Sequence, residues 1–467
     1  MNKETGAGEF DPANAEVARC PGRSFQDILA ADSGPQPEIL KEQSFVHQGE
    51  EELSVDRYLS QEFHDLEKER LWPRVWQMVC REEHIPEVGD HILYEINDDS
   101  FIIIRTEPDT IKAYYNVCLH RGTQLRSCAG NVKQLRCPFH GFAWNLDGTL
   151  KDIPCRWDFG QVDDKEMTLD EAHVDTWGGF VFINQSENPQ PLAEYMYPAG
   201  EHFENWPMHD RHISAHVAKV MNCNWKMAQE AFMEVYHVVS SHPQVLAYVG
   251  DCNSQYDIWP DAPHVSRMLT AQMTPSPHLG DTVSDQEMLD AMQADMDLPG
   301  FEPITEIPEG VSGRQHFADK LREYFTEITQ ADCSHLSNAE LLDAIEYFIF
   351  PNFHPWGGVT LPMVYRFRPW NNDPGKCLME VILLRPNPVG EPAPPPAKMH
   401  MLSDDEDWGC ASELGWLGLV FDQDVVNVAR MQQGLKTTRR KGVVMSVYQE
   451  SRIRHMHNTL SHYLSQP

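Results

Sequence analysis

Cys118-Leu119-His120-Arg121-Gly122 and, with sixteen residues between His120 and Cys137, Cys137-Pro138-Phe139-His140-Gly141 decide how this chain is read. Each stretch offers one thiolate and one imidazole on a short loop, just after a strand-like run. Two such loops meeting at the tip of a β domain place four ligands around one small metal centre. Tetrahedral zinc suits two thiolates and two imidazoles, although zinc patterns usually pair Cys with Cys and His with His. An iron–sulfur centre whose irons take two cysteines and two histidines respectively needs the mixture seen here. The glycines after each pair let backbone amides approach the sulfurs. Cys128 lies between the loops without a place in the pattern.

Working outward, residues 85–187 consist of short apolar runs broken by turns, such as HILYEI, SFIIIR, AYYNVCL and GGFVFINQ. With NDD and LDG between them, they predict a small antiparallel β domain. Residues 1–50 are polar and irregular and read as a flexible arm. Within 51–84 a helical pattern places Tyr58, Phe63, Leu66 and Leu71 near one face, so N-terminal helices are expected to pack on the larger domain. Residues 188–467 open with a Pro-rich connection and the strand-like ISAHVAKVMNCNW, and pass into a helix near Lys226. Ser284–Glu287 and Ser337–Glu340 carry the Ser-x-x-Glu start signal of helices. Strand-like runs return at GGVTLPMVYRFRPW and KCLMEVILLRP, and a long final helix is expected from about Asp424. The whole therefore reads as α+β, the second part an antiparallel sheet with helices against it.

The 467 residues carry 37 lysines and arginines against 71 aspartates and glutamates, a formal net charge of -34. That balance repels nucleic acid and anionic membranes, which need basic patches. There is no stretch of about 18 apolar residues and no apolar secretory leader, so a cytoplasmic protein is expected. Eleven cysteines without a regular framework, in a reducing compartment, favour metal ligation over disulfides.

A second set of donors lies in NWKMAQEAFMEVYHVVSSHP, which supplies Glu230, Glu234, His237 and His242. On one continuous helix Glu230, Glu234 and His237 share a face. His242 would sit about 140° from His237, so the helix must distort if both imidazoles reach one ion, and Pro243 marks where it can end. Two histidines and a carboxylate form the facial triad that leaves positions on iron(II) open to dioxygen. A solvated helix face with two incidental histidines is the competing reading.

CLHRG with CPFHGFAWNLDG resembles the Rieske signature of ring-hydroxylating oxygenase α subunits. NWKxxxExFxExYHxxxxH is similar to the iron-site helix of the same family. The resemblance spans roughly residues 50–440. It implies a small antiparallel β domain holding a [2Fe–2S] cluster, placed before an α+β catalytic domain of START-like helix-grip form. It assigns Cys118 and Cys137 as thiolate ligands and His120 and His140 as imidazole ligands of the cluster. His237 and His242 match the iron(II) histidines. The third ligand falls at Asp424, read as starting a helix, with Asp422 the alternative. Glu234 matches the carboxylate that links a Rieske histidine of a neighbouring subunit to an iron-site histidine. Its replacement by Gln or Ala is expected to leave both metals bound and to suppress electron transfer. Many aromatic dioxygenases carry Gly-Asp-x-Tyr-His where this chain has Met-Glu-Val-Tyr-His, and the Glu form also occurs in relatives acting on quaternary amines.

The resemblance further implies an oxygenase component fed by a ferredoxin or flavin reductase carrying NAD(P)H-derived electrons. It implies a head-to-tail homotrimer, alone or with a small β subunit. Hydroxylation of an aromatic or polycyclic compound is the leading expectation. Demethylation or C–N cleavage by monooxygenation is the alternative, and a non-catalytic electron carrier would have no use for Glu234, His237, His242 and Asp424. Residues of about 245–355, rich in Met and aromatic side chains, are expected to build the substrate pocket.

Overall fold

The computed structural model describes residues 22–466 apart from 297, 331, 362, 389 and 391, and of residue 281 the backbone alone. The alternating runs of the N-terminal half form a seven-stranded antiparallel sheet. Its order is Gln77–Arg81, Phe180–Asn184, Glu171–Trp177, Thr110–Tyr115, Asp99–Glu107, Asp90–Ile96 and Gly130–Asn131. A three-stranded sheet of Leu135–Arg136, Ala143–Trp144 and Leu150–Asp152 carries the second Cys/His loop. Gln77–Arg81 falls in the 51–84 stretch expected to be helical, yet it pairs with the strand Phe180–Asn184.

The C-terminal half is built on an eight-stranded sheet. The order runs Gln255–Ile258, Val265–Thr270, Ala344–Ile349, Phe353–Pro355, Met363–Trp370, Asp373–Pro386, Arg211–Met221 and His400–Leu402. All neighbours are antiparallel except His400–Leu402, which runs parallel to Arg211–Met221. The central hairpin closes through Asn371 and Asn372 at φ 53° and 54°, the left-handed pair a two-residue hairpin turn demands and Asn tolerates. Both Ser-x-x-Glu sequences form reciprocal caps, at the helices Asp285–Asp295 and Asn338–Leu342.

One apolar core passes from sheet to sheet, with Tyr94 and Phe101 of the first clustered with Val217, Phe367 and Met379 of the second. Arg366 ties the two further. It forks onto buried Glu380 (2.7 and 2.6 Å) and donates from Nη1 to the carbonyls of Met78 and Val79, both at 2.8 Å. Beneath the helix Trp225–Glu230, the fully buried Lys226 ammonium donates to Glu67 at 2.5 Å. Among the described residues no helix is long and apolar enough to cross a membrane.

Three expectations are corrected. Residues 22–50 are not a loose arm: Phe25, Ile28, Leu29 and Leu40 are buried, and Arg314 forks onto Asp32 (2.8 and 2.8 Å). Residues 1–21 lie outside the described residues. The helix expected from Asp424 begins seven residues earlier, as Leu417–Thr437, and the last helix is Ser451–Ser465. The helix entered near Lys226 stops at Glu230, so Glu230 and Glu234 share no helical face. Glu230 instead accepts from Tyr58 Oη (3.0 Å) and sits 2.7 Å from His457 Nε2.

Candidate metal centres and active site

Cys118 and Cys137 are buried at the bases of the two loops, whereas His140 is exposed. Each loop closes on its cysteine: the Gly122 amide donates to Cys118 O (2.9 Å) and the Gly141 amide to Cys137 O (3.1 Å). Both glycines sit at positive φ, 78° and 80°, as such tight turns require. Burial pushes the Cys118 thiol up, against the amides of His120 and Arg121. Burial acts the same way on Cys137, but the amides of Phe139 and His140 and the side chains of Cys118 and Thr123 outweigh it and lower that thiol. The imidazoles of His120 and His140 meet with ring centroids 4.7 Å apart. His120 stacks on Phe142 at 4.6 Å, and its buried Nδ1 has no partner among the described residues.

That orphaned nitrogen, on the same pair of loops as two sulfurs met by backbone N–H groups, is what a metal-bound set requires. The four donors do not gather about one point. Two donor sets converge within 4.8 Å among the described residues, and neither includes this quartet. A single zinc ion, with bonds of roughly 2.0–2.3 Å, would draw four donors to about 3.5 Å from one another. The arrangement therefore fits two thiolates on one metal and two imidazoles on a second, as in a [2Fe–2S] cluster, better than zinc.

His237, His242 and Asp424 form one of the two converging sets. After Glu230 the chain leaves the helix, and His237 stands at the start of the short helix Val238–Ser241, with His242 at its end. His237 Nε2 lies 3.5 Å and His242 Nε2 2.7 Å from the same atom, Oδ1 of Asp424. Asp424 is 5% exposed and lies in the interior of Leu417–Thr437, on the inward face with Phe421 and Val428. Asp422 is turned away, accepting from the amides of Trp408 (2.7 Å) and Gly409 (3.0 Å).

The outer nitrogens fix both rings. A carboxylate only accepts, so His237 Nδ1–H donates to Glu234 Oε1 at 2.8 Å, while the His237 amide donates to Oε2 at 2.9 Å. His242 Nδ1 is held by the carbonyl oxygen of Gln423 at 2.7 Å, and Gln244 donates to that oxygen at 2.8 Å. Both rings thus turn Nε2 towards Asp424, and with Nδ1 as the donor the neutral ring has Nε2 free to ligate a metal. Burial disfavours the His237 imidazolium, but the Glu234 and Asp424 carboxylates prevail and push it up to about 9. A cation is what this cluster of carboxylates favours. Two imidazoles and a carboxylate on one side of an ion suit iron(II) with open positions. Glu230, by contrast, is not part of the site. Gln423 gave no sequence signal, since its role depends on the helix turn that also carries Asp424.

The three donors face a cavity of about 560 Å³. Its wall is dominated by apolar side chains, among them Phe232, Val238, Met268, Trp356, Tyr365 and Phe421. Phe232 and Tyr365 lie with ring centroids 5.0 Å apart, and Tyr365 and Phe421 at 5.8 Å. The expected pocket segment, which runs through FIFPNFHPWGG, contributes Tyr248, Met268, Met292, Tyr324, Phe325 and Trp356 to the wall, while Phe232, Tyr365 and Phe421 come from outside it. Space for a ring-sized apolar molecule beside a three-donor metal site is the chemical content of the arrangement.

Comparison with known proteins gives matches over both halves. The family described as Ring hydroxylating alpha subunit (catalytic domain) matches residues 199–466, and Rieske [2Fe-2S] domain matches residues 75–162. The glycine betaine monooxygenase oxygenase subunit of Chromohalobacter salexigens is 28% identical over 247 residues, 51% of this chain and 53% of that protein. The benzene 1,2-dioxygenase subunit alpha of Pseudomonas putida is 33% identical over 189 residues, 38% of this chain and 42% of that protein. The chain thus spans about half the length of the curated relatives it matches. The solved structure of a quaternary ammonium Rieske monooxygenase superposes with a TM-score of 0.61 at 18% identity, over 89% of this chain and 95% of that one.

Proposed function

The chain belongs to the ring-hydroxylating α-subunit family, and from that premise we propose that it is the terminal component of an oxygenase that hydroxylates an apolar, aromatic or polycyclic compound. The observation that carries this reading is the convergence of His237, His242 and Asp424 on one wall of an apolar cavity of about 560 Å³. Cys118, Cys137, His120 and His140 would hold the cluster, and His237, His242 and Asp424 the iron(II). Bound there, the cluster supplies single electrons and iron(II) with open positions supplies dioxygen activation. The protein's own share is positional. Glu234 and Gln423 keep the two Nδ1 protons in place, so that neither imidazole rotates. The aromatic wall excludes water and presents a flat substrate edge-on or face-on to the donors.

Electrons come, in this reading, from a ferredoxin or flavin reductase in the cytoplasm. The cluster end is suited to a neighbour: His140 is exposed, and Phe139 beside it is 61% exposed. In a head-to-tail trimer the partner's cluster would approach Glu234, which already holds His237. Oxidation next to a quaternary nitrogen is the second reading. It is favoured by the clustered rings of Phe232, Tyr365, Phe421 and Trp356, whose faces can meet a cation.

Metal analysis and turnover test the proposal together. Anaerobically purified protein is expected to hold about three irons and about two acid-labile sulfides per chain, His237→Ala losing about one iron. Oxygen uptake with a reductase should then respond to arenes. A response to quaternary amines alone would move the assignment to the second reading. Two irons per chain, unaffected by His237→Ala, would leave only an electron carrier.

A further inference from the structure

The second converging set of donors lies apart from both centres. A carboxylate oxygen of Asp251, Sγ of Cys252 and a ring nitrogen of His278 fall within 4.8 Å of one another, and none of these residues lines the cavity. Asp251 and Cys252 sit in the loop entering the strand Gln255–Ile258, and His278 in the 3-10 turn Pro277–Thr282. Backbone contacts hold the two loops in place. The Gly250 amide donates to Ala271 O (2.9 Å), and the Ser276 amide donates to Leu246 O (2.8 Å).

Asp251 is fully buried. Its Oδ1 accepts from Ser276 Oγ at 2.8 Å, but its Oδ2 has no hydrogen-bond donor among the described residues. Native structures rarely leave a buried carboxylate oxygen unmet, because desolvating a charge without compensation is expensive. Cys252 is buried beside it, and His278 is exposed and brings a ring nitrogen from outside. A cation meets the carboxylate's need with the two other donors already at hand. Thiolate and imidazole select zinc over calcium or magnesium, which prefer all-oxygen shells.

We propose that Asp251, Cys252 and His278 form a zinc site, with water completing a tetrahedral shell on the exposed side of His278. As the Zn–S bond forms, the Cys252 thiol releases its proton to solvent, so binding tightens as pH rises. The ion would clamp the chain that continues from His242 through Leu246 onto the loop that follows the strand Val265–Thr270.

The test uses cluster-intact, iron-loaded protein, so that neither the Cys118/Cys137 pair nor the His237 site is open to zinc. One equivalent of zinc is added, unbound metal is removed, and zinc is counted and examined by X-ray absorption at the zinc edge. The expected result is about one zinc per chain with one sulfur neighbour at about 2.3 Å. Cys252→Ser should abolish that sulfur signal. His278→Ala, a change on an exposed loop that leaves the core intact, should weaken zinc binding at least about tenfold with iron and visible spectrum unchanged. Zinc bound with only nitrogen and oxygen neighbours, equal retention in His278→Ala, or no zinc above background would each overturn the assignment.

Discussion

Glu230 and Glu234 lie one helical turn apart in sequence, so exchanging them singly tests whether the chain really leaves its helix between them. Glu234 accepts twice from His237, at Nδ1 (2.8 Å) and at the backbone amide (2.9 Å). Losing the carboxylate behind a ligating histidine typically costs about 10–100-fold in metal affinity, or roughly 1.4–2.8 kcal/mol. Glu234→Ala should therefore be isolated with its iron but surrender it to a chelator about 10–100 times faster than the parent. Glu230 touches Tyr58 and His457 instead, at 3.0 and 2.7 Å. Glu230→Gln keeps an accepting oxygen for both but buries an amide N–H₂ without an acceptor, a cost of about 1–3 kcal/mol in stability. The denaturation midpoint should fall while iron retention stays at the parental rate. The assay is iron per chain through a timed dialysis against chelator, alongside a denaturant titration of each variant. The reasoning is refuted if Glu230→Gln sheds iron faster than the parent while Glu234→Ala retains it, the pattern expected of a continuous helix directing Glu230 at the site.

The two C-terminal aspartates should separate as cleanly. Asp424→Asn is expected to lose about one iron per chain, whereas Asp422→Ala keeps it and loses about 0.5–2 kcal/mol of stability with its two amide contacts; metal analysis decides. Ala231 lines the cavity beside Phe232, so Ala231→Phe should raise KM for a polycyclic substrate at least about tenfold, some 1.4 kcal/mol, with iron content unaltered. Acid should destabilise the protein well before its carboxylates protonate. Burial holds His84, His202 and His455 down to about 4 and His264 to about 3, against about 6.5 in the unfolded chain. Between about pH 6.5 and 4 the unfolded state binds protons that the folded state refuses, so stability falls as pH falls, by at most about 5 kcal/mol per unit near pH 5. A urea midpoint that did not drop from pH 7 to pH 5 would contradict this.

What was readable in the sequence was local. The Cys/His loops announced themselves because a mixed-ligand cluster dictates residue type and spacing over a few positions, and the glycines at 122 and 141 are needed for the same turns. The long strands of the second sheet and the two Ser-x-x-Glu caps followed from alternation and short-range hydrogen bonding. What escaped depended on distant partners. Residues 22–50 look polar enough to float, but Phe25, Ile28, Leu29 and Leu40 are enough to bury them, and the Asp32 carboxylate is matched by Arg314 far along the chain. Asp424 reads as a helix start, but the helix begins at Leu417; Gly418 lies in its first turn, where a Cβ would stand 2.8 Å from the Trp408 carbonyl.

The break after Glu230 is the clearest case, and it bears on how the site is made. His242 lies five positions after His237, which on a straight helix directs them about 140° apart, yet both Nε2 atoms reach one oxygen of Asp424. The segment contains neither glycine nor proline before Pro243 to account for leaving the helix. A backbone abandons helical hydrogen bonds only where other groups take its orphaned donors and acceptors. Here Arg452 donates to Met233 O at 3.0 Å, Tyr256 Oη accepts from the Val235 amide at 3.3 Å, and Glu234 accepts from the His237 amide. Arg452, on the final helix, is itself fixed by Glu346 at 2.5 Å, and Glu346 by His354 at 2.9 Å on the large sheet, all three fully buried. The irregular turn that aims the histidines is thus held by side chains from the final helix and the large sheet. Such a turn cannot be inferred from its own residues, because nothing in them prefers it; the fold as a whole does.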